Sequence, residues 1–143
     1  MHCLNCGICC ENTVMELSNK DVTIILNKGY RFEEFADLNN GIIRLKNVNG
    51  YCFFYNKLDN KCKIYKKRPI GCYLYPVVYL ENEYAIIDEL CPMGYKVSKQ
   101  EFMKKGKILY KFLKKIDNEV QHRKKINFDG NSPKVFTRDS PKK

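Results

Sequence analysis

Long apolar runs are missing from this chain of 143 residues. No stretch approaches the roughly 18 consecutive apolar residues that a membrane-spanning helix needs, so no membrane partner is expected. Histidine is scarce, with His2 and His122 the two present. There is no Ser–His–Asp pattern, no phosphate-binding loop and no Gly-rich dinucleotide fingerprint. The Cys-x3-Cys-x2-Cys spacing of radical enzymes is absent as well. Any catalysis would have to come from a metal or an outside cofactor. No recognised nucleic-acid motif, low-complexity block or internal repeat beyond the thiols is present. A secretory leader is not expected, because the first thiol is Cys3 and no charged segment and apolar core precede it. The expected location is cytoplasmic.

Cysteine is plentiful. Cys3, Cys6, Cys9 and Cys10 crowd the first ten residues, and Cys52, Cys62, Cys72 and Cys91 follow singly. In a reducing compartment such thiols bind metal or react more often than they pair. Spacing points the same way. Neighbours such as Cys9 and Cys10 have Cα atoms about 3.8 Å apart, below the usual disulfide range of roughly 4.4–6.8 Å. Each would need its own distant partner.

The net charge of +10 is unevenly spread. Residues 1–95 carry 11 basic and 11 acidic side chains, whereas residues 96–126 carry 11 basic and 3 acidic. The basic excess therefore belongs to the C-terminal third.

Local patterns predict an α+β fold. Thr13 to Leu17 suits a short strand. Ser18 is an N-cap with Asp21 three residues on, and Val22, Ile25 and Leu26 make one apolar face. A helix is expected over 19–28, ending at Gly29. A second helical turn is expected over 32–38, broken by Asn39-Asn40-Gly41. Residues 42–46, 51–55 and 61–65 read as strands, with Cys52 and Cys62 on the two arms of a hairpin. Residues 68–72 read as irregular because proline and glycine interrupt them. Residues 73–80 and 84–87 read as a further hairpin. Ser98 and Glu101 form a capping box. Phe102, Leu109, Leu113, Ile116 and Val120 then recur at helical spacing, which predicts a helix over about 99–125. Residues 1–126 are expected to be a single metal-chelating domain. Residues 127–143 are expected to be a flexible tail.

Two residues between cysteines let a tight turn aim two thiolates at one centre. Cys3-x-x-Cys6-x-x-Cys9 uses that spacing twice, as bacterial ferredoxins do around a [4Fe–4S] cluster. Zinc sites more often combine two separated pairs. Adjacent residues project differently, so Cys10 suits a second centre or a different corner of a cluster. Gly7 frees the turn sterically and leaves backbone N–H groups to point at sulfur. Arg68 is a candidate to hydrogen-bond a metal-bound sulfur or offset cluster charge, or else to anchor its loop. Tyr65, Tyr73 and Tyr75 are expected to pack around the site, and Pro69 and Pro76 to fix the backbone. His2 is expected to be solvated, and His122 has no assigned role.

Taken together, Cys3-x-x-Cys6-x-x-Cys9-Cys10, Cys52-x-Phe54, Cys62-x-Ile64-Tyr65-x-x-Arg68-Pro69-x-x-Cys72-x-x-Tyr75-Pro76 and Cys91 closely resemble the YkgJ-like CxxCxxCC family of zinc- or iron-chelating proteins. The resemblance covers about residues 3–95. It implies a metal-chelating domain with Cys3, Cys6, Cys9, Cys10, Cys52, Cys62, Cys72 and Cys91 as candidate ligands. A similar cluster in flagellin lysine N-methylases implies a possible enzymatic relative. This chain departs from the pattern at Gly71 and Tyr73, which flank Cys72 where arginine is common.

The expected cofactor is an iron–sulfur cluster, with zinc as the alternative. An iron–sulfur enzyme of methyl transfer or redox chemistry is the competing function. The helix lysines, with Arg123, Lys124 and Lys125, are expected on the solvent side, where they could meet an acidic protein or RNA.

Overall fold

Ser18 starts the first helix through reciprocal bonds with Asp21. Ser18 Oγ accepts the Asp21 N–H at 3.1 Å, and Asp21 Oδ2 accepts the Ser18 N–H at 3.0 Å. This is the first step in a computed structural model that describes residues 7–80 and 84–128. Helix α1 spans Asn19–Asn27 and buries Val22, Ile25 and Leu26, as the sequence pattern predicts. Gly29 follows it with φ +103°.

The short helix α2 spans Phe32–Phe35, and there the expected helical turn ends. Ala36–Asn39 form strand β1, which pairs antiparallel with β2, Ile42–Leu45. The Asn40-Gly41 pair makes the turn, both residues having positive φ. Such a turn twists with the strands, so residues 36–38 join a hairpin and leave the helix. Thr13 to Leu17 runs beside β2: the Leu17 N–H donates to Ile43 O and the Leu45 N–H to Met15 O.

A second Asn-Gly turn, Asn49-Gly50, joins β3 (Asn47–Val48) to β4 (Tyr51–Cys52). Phe53 and Phe54 then break the expected strand. Phe54 is fully buried, with its ring centroid 5.8 Å from that of Phe35. Burying one such ring contributes about 1.5–3 kcal/mol, enough to outweigh the strand's continuation. Strand β5 (Tyr55–Asn56) pairs with β6 (Lys61–Cys62). Cys52 and Cys62 therefore sit on two successive hairpins, facing Asn47 and Tyr55, and not on two arms of one.

Residues 70–74 are helical, in place of the irregular segment expected over 68–72 and the start of the strand expected over 73–80, which instead begins at Val77. Helix α3 spans Ile70–Leu74 and follows directly on Pro69, whose ring suits a helix start. A cis Tyr75–Pro76 bond leads into β7 (Val77–Leu80), which pairs with β8 (Tyr84–Ile87).

Helix α4 spans Lys99–Phe128, past the expected end. The Glu101 N–H donates to Ser98 Oγ at 3.0 Å, completing the predicted cap. Leu109 packs with Leu74 and Val77, and Ile116 and Val120 pack with Phe112. One residue departs from the expected charged face. Arg123 is 4% exposed, and its guanidinium donates to Gly41 O at 2.7 Å and Asn19 Oδ1 at 2.6 Å. Glu119 lies 3.5 Å from it and accepts the Asn19 N–H at 2.8 Å. The C-terminal half of α4 is thus clamped to the start of α1 and the β1–β2 turn. The whole is an α+β arrangement of small two-stranded hairpins and one long helix.

Candidate metal centre

Gly7 opens the site. Its φ is +82°, and a Cβ there would stand 2.5 Å from Tyr55 Oη. Only glycine accepts both the left-handed backbone and the approach to β5. A 3₁₀ turn, Ile8–Cys10, follows and is closed by the Cys10 N–H donating to Gly7 O at 3.0 Å. The chain is then stitched to the β3–β4 hairpin. The Asn12 N–H donates to Gly50 O at 2.7 Å. Asn47 bonds Thr13 twice, accepting its N–H at 3.0 Å and donating to its carbonyl at 2.9 Å. Asn47 is also the strand partner of Cys52. These bonds fold the N-terminal segment back beside the later cysteines.

Cys72 is carried by α3, and Asp21 fixes the start of that helix by accepting the Ile70 N–H at 3.1 Å. Cys91 sits on a turn built by Asp88. The Asp88 carbonyl accepts the Cys91 N–H at 3.2 Å, and its carboxylate accepts the Leu90 N–H at 3.0 Å and the Tyr75 hydroxyl at 2.7 Å. Burial, then the bond to Asp88, pushes the Tyr75 phenol upward.

Cys9, Cys10, Cys52, Cys62, Cys72 and Cys91 all line one cavity of about 100 Å³. They reach it from five separate stretches: the 3₁₀ turn, β4, β6, α3 and the turn after β8. Cys3, Cys6 and His2 lie outside the described residues. Among the described residues, no three Cys, His, Asp or Glu side chains are gathered tightly enough to grip one ion as they stand. The six thiols ring a space and do not meet at a point. His122 is exposed on α4 and is absent from the cavity wall.

The thiols differ electrostatically. The Cys9 and Cys10 side chains hydrogen-bond one another, so the adjacent pair faces the same cavity. That bond lowers Cys9 to about 7, with help from the Arg68 charge. It raises Cys10, the donor, and burial raises Cys10 further. Burial lifts Cys52 to about 11 and Cys72 well above the ordinary thiol value. A bound cation reverses this preference, because metal replaces the thiol protons. The donor set fits such a group. The wall offers sulfur with no carboxylate and no imidazole, which suits zinc or iron–sulfur chemistry over hard cations.

Arg68 lines the cavity and donates to Tyr65 O at 2.8 Å, which anchors its loop. Tyr65, Tyr73 and Tyr75 also line it. Sequence reasoning missed two contributors. Lys105 of α4 is part of the wall, and its signal was the helical pair with Glu101, whose carboxylate lies 2.9 Å away. The Tyr75–Asp88 bond left no local pattern.

A family comparison decides the class. The sequence model of the CxxCxxCC family, described as "Putative zinc- or iron-chelating domain", matches residues 2–92. The chain belongs to the CxxCxxCC family. All six described cavity cysteines, together with Cys3 and Cys6, fall inside the matched segment, whereas α4 lies beyond it. Among curated proteins, the chain is similar to the uncharacterized protein MJ0661 of Methanocaldococcus jannaschii, at 41% identity over 83 residues. The similarity covers 52% of this chain and 43% of that relative, so the chain spans less than half of the relative's length. No solved structure matches. CxxCxxCC membership gives the domain over residues 2–92 its coarse role, the chelation of zinc or iron.

Proposed function

We propose that the CxxCxxCC chain binds an iron–sulfur cluster, a [4Fe–4S] centre, through thiolates drawn from its eight cysteines. The observation that carries this reading is the shape of the thiol set. Six cysteines surround a cavity from five stretches of chain, with no carboxylate or imidazole among the described residues of its wall. A single zinc ion wants four sulfurs converging at bonds of roughly 2.3 Å. A cluster presents several iron corners and accepts ligands spread around a space. Cys3 and Cys6, at the same two-residue spacing in sequence as Cys9, would supply further thiolates. When bound, the group supplies electron transfer or a structural staple. The chain itself supplies the sulfurs, the turn at Gly7 and a cavity shielded by tyrosines. A metal-binding thiol set of this kind suits a cytoplasmic location, and residues 1–126 act as one metal-chelating domain.

Anaerobic purification followed by metal and sulfide analysis tests the reading. A brown protein with about four iron and about four sulfide per chain is the expected result. A colourless protein holding stoichiometric zinc without sulfide would establish the zinc reading in its place.

A further inference from the structure

Lysine seldom lines a cavity wall, because its charged head favours water. Lys105 does so here, with its side chain 13% exposed. Its ammonium lies 5.3 Å from the centre of the Tyr73 ring. The Arg68 guanidinium lies 5.5 Å from the same ring and 4.1 Å from the Tyr65 ring. Two cations thus share one tyrosine at the edge of the thiol cavity. The Glu101 carboxylate, 2.9 Å from Lys105, offsets one of them and is held below the usual carboxylate range by that contact. Among the described residues, Arg68 makes no ion pair. The rim therefore carries an excess of positive charge.

Such charge fits what the cavity would hold. Four thiolates on one divalent ion leave about two net negative charges, and all-thiolate clusters are anionic too. Cations beside such a group favour the loaded state and strengthen it most where water is partly excluded. Arg68 already lowers the neighbouring Cys9 thiol.

We propose that helix α4 completes the metal centre, with Lys105 sharing the Tyr73 ring with Arg68 and retaining the bound metal through its charge. Lys105 lies outside the residues 2–92 that define the family domain, so the site of this chain extends past that domain. The inference rests on the metal-chelating reading and holds for zinc and for iron–sulfur alike. Lys105 acts as a positioning charge and is not a ligand.

The test follows metal release from the purified, anaerobically loaded protein to the chromogenic chelator 4-(2-pyridylazo)resorcinol. Lys105→Gln should release metal about five-fold faster than the unaltered chain at low salt, the effect of one partly shielded charge. Lys105→Arg should restore the slow rate. In about 1 M salt, where screening acts within roughly 3 Å, the rates should converge. Equal rates at low salt overturn the inference. Fast release that persists in high salt and is not rescued by arginine also overturns it, since that pattern belongs to lost packing. Should Lys105→Gln fail to fold, Lys105→Met keeps the stem and reads the same charge. An unaltered chain that holds no metal overturns the chelating reading and this inference with it. Retained metal with equal rates overturns this inference alone.

Discussion

Asp21 and Ile70 are joined by a hydrogen bond across 49 positions of sequence, from the Ile70 N–H to Asp21 Oδ1 at 3.1 Å. The other oxygen of the same carboxylate caps α1 through the Ser18 N–H. One buried side chain, 3% exposed, thus starts two helices, and the second carries Cys72. Asp21→Ala should lose the cap, worth about 0.5–2 kcal/mol. It should also strand the Ile70 N–H, at about 1–3 kcal/mol. The expected fall in stability is about 2–4 kcal/mol in urea unfolding of the metal-loaded protein. A Cys9-side substitution of similar cost would leave α1 intact, so far-UV loss at the helix bands separates the two.

Gly7 meets a different constraint. Its left-handed φ and the 2.5 Å approach of a would-be Cβ to Tyr55 Oη act together. Gly7→Ala should displace the turn that carries Cys9 and Cys10, so metal content should fall by at least half while α4 stays helical. Pairing Gly7→Ala with Tyr55→Ser removes the overlap and leaves the φ penalty of about 1–2 kcal/mol. Partial recovery of metal content is the expected result, measured by metal analysis of both proteins. No recovery would mean that the backbone conformation dominates.

Much of this arrangement was legible from local rules. The Ser18–Asp21 box, the helix that follows it and the apolar stripe of α4 each depend on residues three to seven positions apart. The eight-cysteine pattern carried the family. What stayed hidden depends on distant partners. Residues 36–38 have a helical look, yet Asn40-Gly41 folds them into a hairpin whose other strand supplies Ile43 and Leu45 to the core. Phe53 and Phe54 look like strand, yet burial of Phe54 turns the chain. Pro69 and Gly71 made 68–72 look irregular, although Met15 Sδ occupies the space a side chain would need at Gly71. Arg123 looked like one more surface cation. Nothing nearby in sequence announces that its partners are Gly41 and Asn19.

Arg123 also offers a stability test free of the metal. Its guanidinium satisfies two distant oxygens and pairs with Glu119, at 4% and 12% side-chain exposure. Arg123→Leu leaves Glu119 and the Gly41 carbonyl without that donor, and breaking a buried charged pair costs about 3–5 kcal/mol. Lysine cannot reach two directions with one planar fork, so Arg123→Lys should recover less than half of the loss. Hydrogen exchange should quicken in residues 112–128 and in the 39–42 turn. Amides near Cys62 should change little.

Metal removal should divide the molecule along its packing. Cys10, Cys62 and Cys72 pack against the core that contains Phe35, Phe54 and Ile64, and Cys52 belongs to that core. Stripping the metal leaves those thiols around a cavity with nothing to draw them together. Helix α4 is held elsewhere, by Leu74, Val77 and Leu109 and by Phe112, Ile116 and Val120. Anaerobic chelation should therefore expose the Cys9–Cys10 turn and the β3–β6 hairpins first. Hydrogen exchange there should rise at least ten-fold, while the far-UV signal of α4 persists. Cys62→Ser should mimic chelation at the hairpins, because it removes one wall sulfur and keeps the strand pairing of residue 62 with Tyr55. If α4 melts together with the hairpins, the metal supports the entire chain as one cooperative unit and the two halves are not separately held.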